Sequence, residues 1–373
     1  MTALIFLAVL SVLVLVHELG HFLAAKITGV EVEEFGLGFP PRAIGTFRNS
    51  RKKWKMFRSS FGKIGHTIFS LNWIPLGGFV RLRGEDGQSQ AGDKKNFVNK
   101  TAGQRFFILI AGVVMNFLLA AIIFSVGLSI GWPQATDNLS RGAKVTDQQV
   151  IAIEVVKDLP AEKAGLKSGD AITKVDNQVV ESVNKLRQIN NKIGAKEIVY
   201  QVKRDNQLIE LKITPQILDN QPGQYGIGVA LAESGIVSYP WFKAIGEGFK
   251  LAAVGLKDIA VGFWQLLAGL FSGQDMSDQV AGPVGIAVLT GQVSRLGWLY
   301  LMQFVALLSL NLAFINILPL PALDGGRLLF IVCEKIAGRP VKANIEAIIH
   351  SIGFILLMAF VAFITLKDII RLF

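Results

Sequence analysis

The chain has 373 residues, of which 51% are hydrophobic and 18% charged, and its formal charge is +10. That composition points to a polytopic α-helical membrane protein with room for two or three domains. A single cysteine, Cys333, excludes an internal disulfide and a cysteine-rich zinc site, and its apolar surroundings suggest a buried structural thiol.

Residues 2–25, TALIFLAVLSVLVLVHELGHFLAA, form the first predicted span, about one bilayer thickness of helix. No basic stretch precedes it, so it reads as a retained span and not a signal peptide. His17, Glu18 and His21 lie inside its apolar run. Two histidines four apart share one helical face and can grip one metal ion, and the glutamate between them can act on its water. Ionisable groups at membrane depth are costly and mark function by default. A catalytic zinc takes a third protein ligand besides these two, so an Asp, Glu or His is expected at another position of the same depth. The bland alternative, a chance pair on an ordinary helix, leaves three hydrophilic groups in lipid uncompensated.

Residues 26–105 hold fifteen Lys or Arg against six acids. Beside a span this reads as a cytoplasmic loop, with the N-terminus outside and no nucleic-acid role. GLGFPPR (36–42) reads as a turn-rich piece, and RNSRKKWKMFR (48–58) as a solvated face attracted to anionic lipid. HTIFSLNWIPLGGFVRLRG (66–84) suggests short strands with a turn or bulge at Gly77-Gly78. It is too short to span. It is either a re-entrant strand pair whose edge can take an extended peptide, or a surface hairpin. His66 reads as a surface or packing histidine. A second span is expected at 106–131, with Asn116 as its strongly polar interior residue, hydrogen-bonded either to a neighbouring helix as packing glue, the favoured role, or to the site.

Residues 140–232 are soluble in character, with candidate strands at 149–156, 171–176, 197–203 and 207–214, a helix near 182–192 and a turn at Asp205-Asn206. PAEKAGLKSGDAITKVDNQ (160–178) resembles a PDZ-domain segment, and YGIGV (225–229) its carboxylate-binding loop, in circularly permuted order. Backbone N–H groups of Gly226, Ile227 and Gly228 would then hold a peptide C-terminus; a purely steric cap is the other reading. Across 241–271, Lys243, Glu247, Lys250 and Lys257 share one face, which suggests an amphipathic helix on the membrane surface. Residues 273–287 read as a loop that ends in a helix start.

A third span is expected at 296–318. It runs into NILPLPALDGGRLLF (316–330), where Pro319 and Pro321 should break the helix. Asp324 is the candidate third ligand, with a helix cap as the alternative. The loop 335–342 is basic, and a fourth span is expected at 345–366, with His350 in a packing or interfacial role. Four spans starting outside put the N-terminus, the 140–232 domain and the C-terminus on the extracytoplasmic side. The expected parts are a first membrane part (1–131), the extracytoplasmic region (132–239), a surface helix and linker (240–295) and a second membrane part (296–373).

HELGH in a span, GLGFPPR, GGFVRL, AGPVGI and NILPLPALDGG together resemble the bacterial site-2 protease family of zinc intramembrane metalloproteases, in its regulator-of-sigma-E type. The resemblance covers nearly the whole chain. It implies one catalytic Zn2+ on His17, His21 and Asp324, with Glu18 as general base and Asn316 on the substrate backbone. Residues 66–84, with Gly77, Gly78 and Phe79 at their centre, would clamp an unwound substrate segment. The implied substrates are single-span membrane proteins, anti-sigma-factor-like proteins or signal-peptide remnants, cut in the inner membrane after an upstream site-1 protease acts first. There is room for one PDZ domain where the best-known members have two. Two rival readings are a catalytically silent receptor or adaptor that binds peptide C-termini, and a zinc transporter. Transporters usually carry internal repeats, and none is seen here.

Overall fold

A computed structural model of the chain describes residues 2–48, 53–57, 66–85, 92–136, 139–204, 207–218, 223–273, 280–339, 341 and 343–371. The expected turn at Asp205-Asn206, much of the basic run 48–58 and residues 274–279 of the loop 273–287 lie outside the described residues. The chain divides into two compact units, Met1–Ser125 with Ile245–Phe373, and Val126–Ala244.

The first unit begins with helix α1 (Thr2–Thr28), followed by strands β1 (Val32–Arg48), β2 (Trp54–Phe57) and β3 (Ile68–Leu82). GLGFPPR is therefore not a free turn but the bend inside β1, where Gly38 takes a positive φ of 80°. The strands form one sheet in the order β2-β1-β3. The pairing wraps around: Phe35 of β1 is paired with both Val80 and Phe69 of β3. The two strands are bent hairpin arms locked into each other, and the register irregularities fall at those bends. Pairing partners a long way off in sequence override the local Gly and Pro signals. Inside the sheet the guanidinium of Arg42 donates to the carboxylate of Glu34 at 2.6 and 2.9 Å. Burial alone would raise the Glu34 carboxyl, but the Arg42 guanidinium holds it below the usual carboxylate range. Phe22 of α1 packs on Phe35 and Phe69, fixing the sheet to the helix.

Helix α2 (Ala102–Ile130) runs antiparallel to α1, because Ile108 meets His21 while Asn116 meets His17. The two approach closely at Gly20, where a Cβ would stand 2.3 Å from the carbonyl oxygen of Ala111. After the second unit come α5 (Trp241–Phe271), α6 (Pro283–Leu296), α7 (Trp298–Ile317), α8 (Asp324–Ala337) and α9 (Ala343–Ile370). Five helices among the described residues are long and apolar enough to cross a membrane, one more than the four spans expected, and the addition is Trp241–Phe271. Its polar residues do fall on one stripe, and Lys250 pairs with Glu247 at 3.7 Å. Along its apolar surface Phe249 contacts Phe117 and Phe263 contacts Phe314, while Trp241, Trp264 and Phe271 are exposed. One side of this helix touches α2 and α7.

Contacts at both ends give the direction of the spans. Thr2 at the start of α1 touches Gly291, just ahead of α7, and His17 meets Asp324, just beyond α7. Helices α1 and α7 therefore run the same way. Helix α9 runs the opposite way, from His350 beside Ala322 to Asp368 beside Gly282 and Gly285 at the start of α6.

The second unit comprises β4 (Trp132–Ala135), β5 (Lys144–Val155), α3 (Pro160–Lys163), β6 (Ala171–Val175), β7 (Gln178–Val179), α4 (Val183–Ile193), β8 (Ile198–Arg204), β9 (Gln207–Ile213), β10 (Gln216–Ile217), β11 (Tyr225–Gly226) and β12 (Val229–Ser238). The main sheet has the order β4-β12-β5-β6-β8-β9. Its core includes Val150, Ile172, Leu186, Ile189, Tyr200 and Ile213. Helix α4 starts where the Ser182 hydroxyl accepts from the Lys185 N–H at 3.1 Å and ends at Gly194 with φ 70°, a normal cap at each end. Asp170 is 1% exposed and accepts from Arg204 at 2.6 and 2.7 Å. Burial pushes its carboxyl up, but the Arg204 guanidinium and the Lys167 N–H outweigh that and hold it below the ordinary value.

Candidate metal centre and active site

The imidazoles of α1 and the carboxylate at the start of α8 meet. His17 Nε2 lies 2.9 Å from Asp324 Oδ2, His21 Nε2 lies 3.3 Å from the same oxygen, and the two Nε2 atoms are 3.2 Å apart. All three donor atoms fall within 4.8 Å of one another. Both histidines are 6% exposed. Pro319 and Pro321 end α7, and Ala322 takes a positive φ of 73°, so the chain reverses and places Asp324 in the first turn of α8. Glycines let that reversal close: a Cβ on Gly325 would lie 2.0 Å from the Leu318 carbonyl oxygen.

Glu18 is on the same turn of α1. Its Oε2 accepts from the Val80 N–H of β3 at 2.9 Å. Glu18, His21, Phe79, Val80, Asp324 and His350 line one cavity of about 600 Å³. At Gly78, a Cβ would press on the Gly36 carbonyl oxygen at 2.9 Å and come within 3.9 Å of Glu18 Cγ. Gly77, with φ 71°, faces Phe39 and Val14. Asn316 is half-buried in the last turn of α7 and is not among the residues lining the cavity. In the second unit, Gly226, Ile227 and Gly228 line a separate groove of about 730 Å³ with Leu159, Leu186 and Asn190.

Three further parts of the centre lie beside the imidazoles, and only Asn116 among them stands out in the sequence. They lie on α2 at a spacing of four: Ile108, Gly112 and Asn116. His21 Nδ1 donates to the Ile108 carbonyl oxygen at 2.8 Å, leaving the Nε2 lone pair for a metal. A Cβ on Gly112 would lie 2.6 Å from His21 Nε2 and 2.8 Å from His17 Nε2. Asn116, expected as packing glue, puts Nδ2 3.3 Å from His17 Nδ1. Their common helical face was the available signal, but apolar helices offer several such faces. His350, expected as a packing residue, accepts from the Ala322 N–H at 2.9 Å through Nδ1 and so props the loop that carries Asp324. His66 does pack, stacked on Phe47.

Two imidazole nitrogens and one carboxylate, converged in a buried pocket beside a further acid, form a donor set that suits a catalytic zinc. A membrane-helical fold with such a cluster defines a metallohydrolase class, and comparison with known proteins agrees. The Peptidase family M50 pattern matches residues 5–360, and the chain belongs to that family. A Clostridium perfringens protein that carries a provisional zinc-metalloprotease name is 31% identical, with 96% of each chain covered. The zinc metalloprotease RasP of Geobacillus kaustophilus is 29% identical over 99% of this chain and 97% of its own. The regulator of sigma-W protease RasP of Bacillus subtilis is 28% identical over 100% and 99%. Among solved structures, the PDZ domain of an SdrC-like protein of Listeria monocytogenes is 26% identical, covering 24% of this chain and 92% of its own, with a TM-score of 0.22. The chain is thus a zinc metalloprotease of the site-2 protease family.

Proposed function

We propose that this protein cuts single-span membrane proteins within the bilayer, using one Zn2+ held by His17, His21 and Asp324 and Glu18 as general base. The observation that carries the reading is the meeting of donor atoms from residues 17, 21 and 324 beside Glu18 at one end of a cavity. The ion, when bound, polarises the scissile carbonyl and acidifies the attacking water. Glu18 takes a proton at its carboxylate from that water and gives it to the leaving amine nitrogen. The Val80 N–H holds Glu18 Oε2 in place for this.

A helical peptide bond is shielded by its own hydrogen bonds, so the substrate must unwind before attack. Strand β3 is at the edge of its sheet and carries Phe79 and Val80 into the cavity. An extended substrate segment adds to that edge, with Gly77 and Gly78 leaving room for its backbone and Asn316 acting on the backbone further along. In the second unit, the groove at Gly226, Ile227 and Gly228 takes a peptide C-terminus in PDZ fashion.

The basic 26–105 region places the C-terminal end of α1 at the cytoplasmic side of a bacterial inner membrane, so the cut falls towards that side. The N-terminus, the PDZ-like domain and the C-terminus are extracytoplasmic. The sigma-W regulator name of the Bacillus relative supports an anti-sigma-factor-like substrate here, trimmed first by a site-1 protease.

The test is to incubate the full chain in detergent with single-span candidates, with and without a zinc chelator, and map cuts by mass spectrometry. Glu18→Gln should retain zinc and lose cleavage by about 10²-fold or more. Normal turnover by that variant would refute the assignment.

A further inference from the structure

The amide of Asn116 stands against the far side of the first ligand ring. Asn116 is fully buried, and its Oδ1 has no hydrogen-bond partner, while its Nδ2 is directed at His17 Nδ1 at 3.3 Å. In that orientation the amide would donate to Nδ1. The ring proton would then sit on Nε2, the atom that faces Asp324 and His21. An Nε2–H cannot coordinate a metal. The sister ligand shows the opposite and productive arrangement, with Nδ1–H given to the Ile108 carbonyl and Nε2 left bare.

The two orientations of a terminal amide fill the same volume. Rotating the Asn116 amide by half a turn brings Oδ1 to His17 Nδ1. The orphaned acceptor is then satisfied, and a buried acceptor without a donor costs about 1–3 kcal/mol. The same rotation moves the ring proton to Nδ1 and frees the Nε2 lone pair. The backbone at this position is anchored, since the Asn116 carbonyl accepts from the buried Ser309 hydroxyl at 2.8 Å. Ile108 and Asn116, two turns apart on α2, thereby do the same task for the two histidines.

We propose that Asn116 is a positioning residue: its side-chain oxygen accepts from His17 Nδ1–H and so makes His17 Nε2 a zinc ligand. This rests on the assignment of His17 as a ligand. Full-length protein is purified in detergent, stripped of metal and titrated with zinc against a chromophoric chelator, with the cobalt(II) absorption spectrum and the thermal midpoint as parallel readings. Asn116→Leu and Asn116→Ala remove the acceptor and should weaken zinc binding by about 10–100-fold. Asn116→Asp keeps an acceptor at that place and should restore binding to within about threefold of the parent. Ser309→Ala, which touches the same residue through its backbone only, should leave affinity and spectrum unchanged. Parent-like affinity in folded Asn116→Ala would overturn the proposal, and so would an equal loss in Asp and Ala variants of similar midpoint. Should Asn116→Leu fail to fold, Asn116→Ala decides. Unchanged zinc affinity in His17→Ala would instead overturn the metal site itself.

Discussion

Gly112→Ala tests the geometry of the centre with one methyl group. In a helix interior the exchange ordinarily stabilises by about 0.5–1 kcal/mol. Here the new Cβ would stand 2.6 Å from His21 Nε2, 2.7 Å from His17 Cε1 and 2.8 Å from His17 Nε2, where ordinary contact begins at 3.4 Å. The rings or the helix must therefore give by about 0.6–0.8 Å, whereas metal–ligand distances tolerate about 0.2 Å. Overpacking of this size costs about 1–3 kcal/mol, so the usual gain is cancelled or reversed. Because two of the three crowded atoms are the metal-facing nitrogens, the loss falls on zinc affinity, expected to drop by about 10–100-fold as for other changes next to a ligand. Zinc content after dialysis against a graded chelator, read beside the thermal midpoint, measures both quantities. A Gly112→Ala protein that holds zinc like the parent would show that α2 does not press on the ligand rings, and the packing account of the centre would be wrong.

Asp368 accepts from the Gly282 and Gly285 N–H groups at 3.3 and 2.7 Å, capping α6 from another helix. Asp368→Ala should lower stability by about 1 kcal/mol, and an unchanged thermal midpoint would refute the cap. The Asp170 carboxyl is held below its ordinary value in the folded state. Its contribution is complete above the unfolded value and is lost as pH falls through the lower folded value. Hydrogen-exchange protection of residues 198–204 should therefore fall in acid below about pH 4, and Arg204→Leu should flatten that dependence.

His17, His21, Glu18 and Asp324, whose donor atoms the fold brings together, stand out in the sequence because ionisable groups in an apolar run are conspicuous. Most of what supports them does not. Ile108 contributes a backbone carbonyl, which no residue type advertises, and Gly112 contributes an absence of side chain. Which face of α2 meets α1 is decided by packing, and one sequence does not reveal it. The bend of β1 through GLGFPPR read as a turn because Gly and Pro usually end strands, while its pairing depends on β3, some thirty residues on. The lysines of 241–271 share one face of a 31-residue helix that is otherwise apolar enough to cross a membrane, and their spacing alone does not distinguish a surface helix from a span.

The distance along the chain between the two halves of the metal centre has a temporal meaning. His17 and Asp324 are 307 residues apart. At about 5–20 residues per second, a ribosome takes about 15–60 s to go from one to the other. Throughout that interval the nascent protein carries the histidine pair without its carboxylate partner. The donor set of this metalloprotease thus stays incomplete until translation is almost finished.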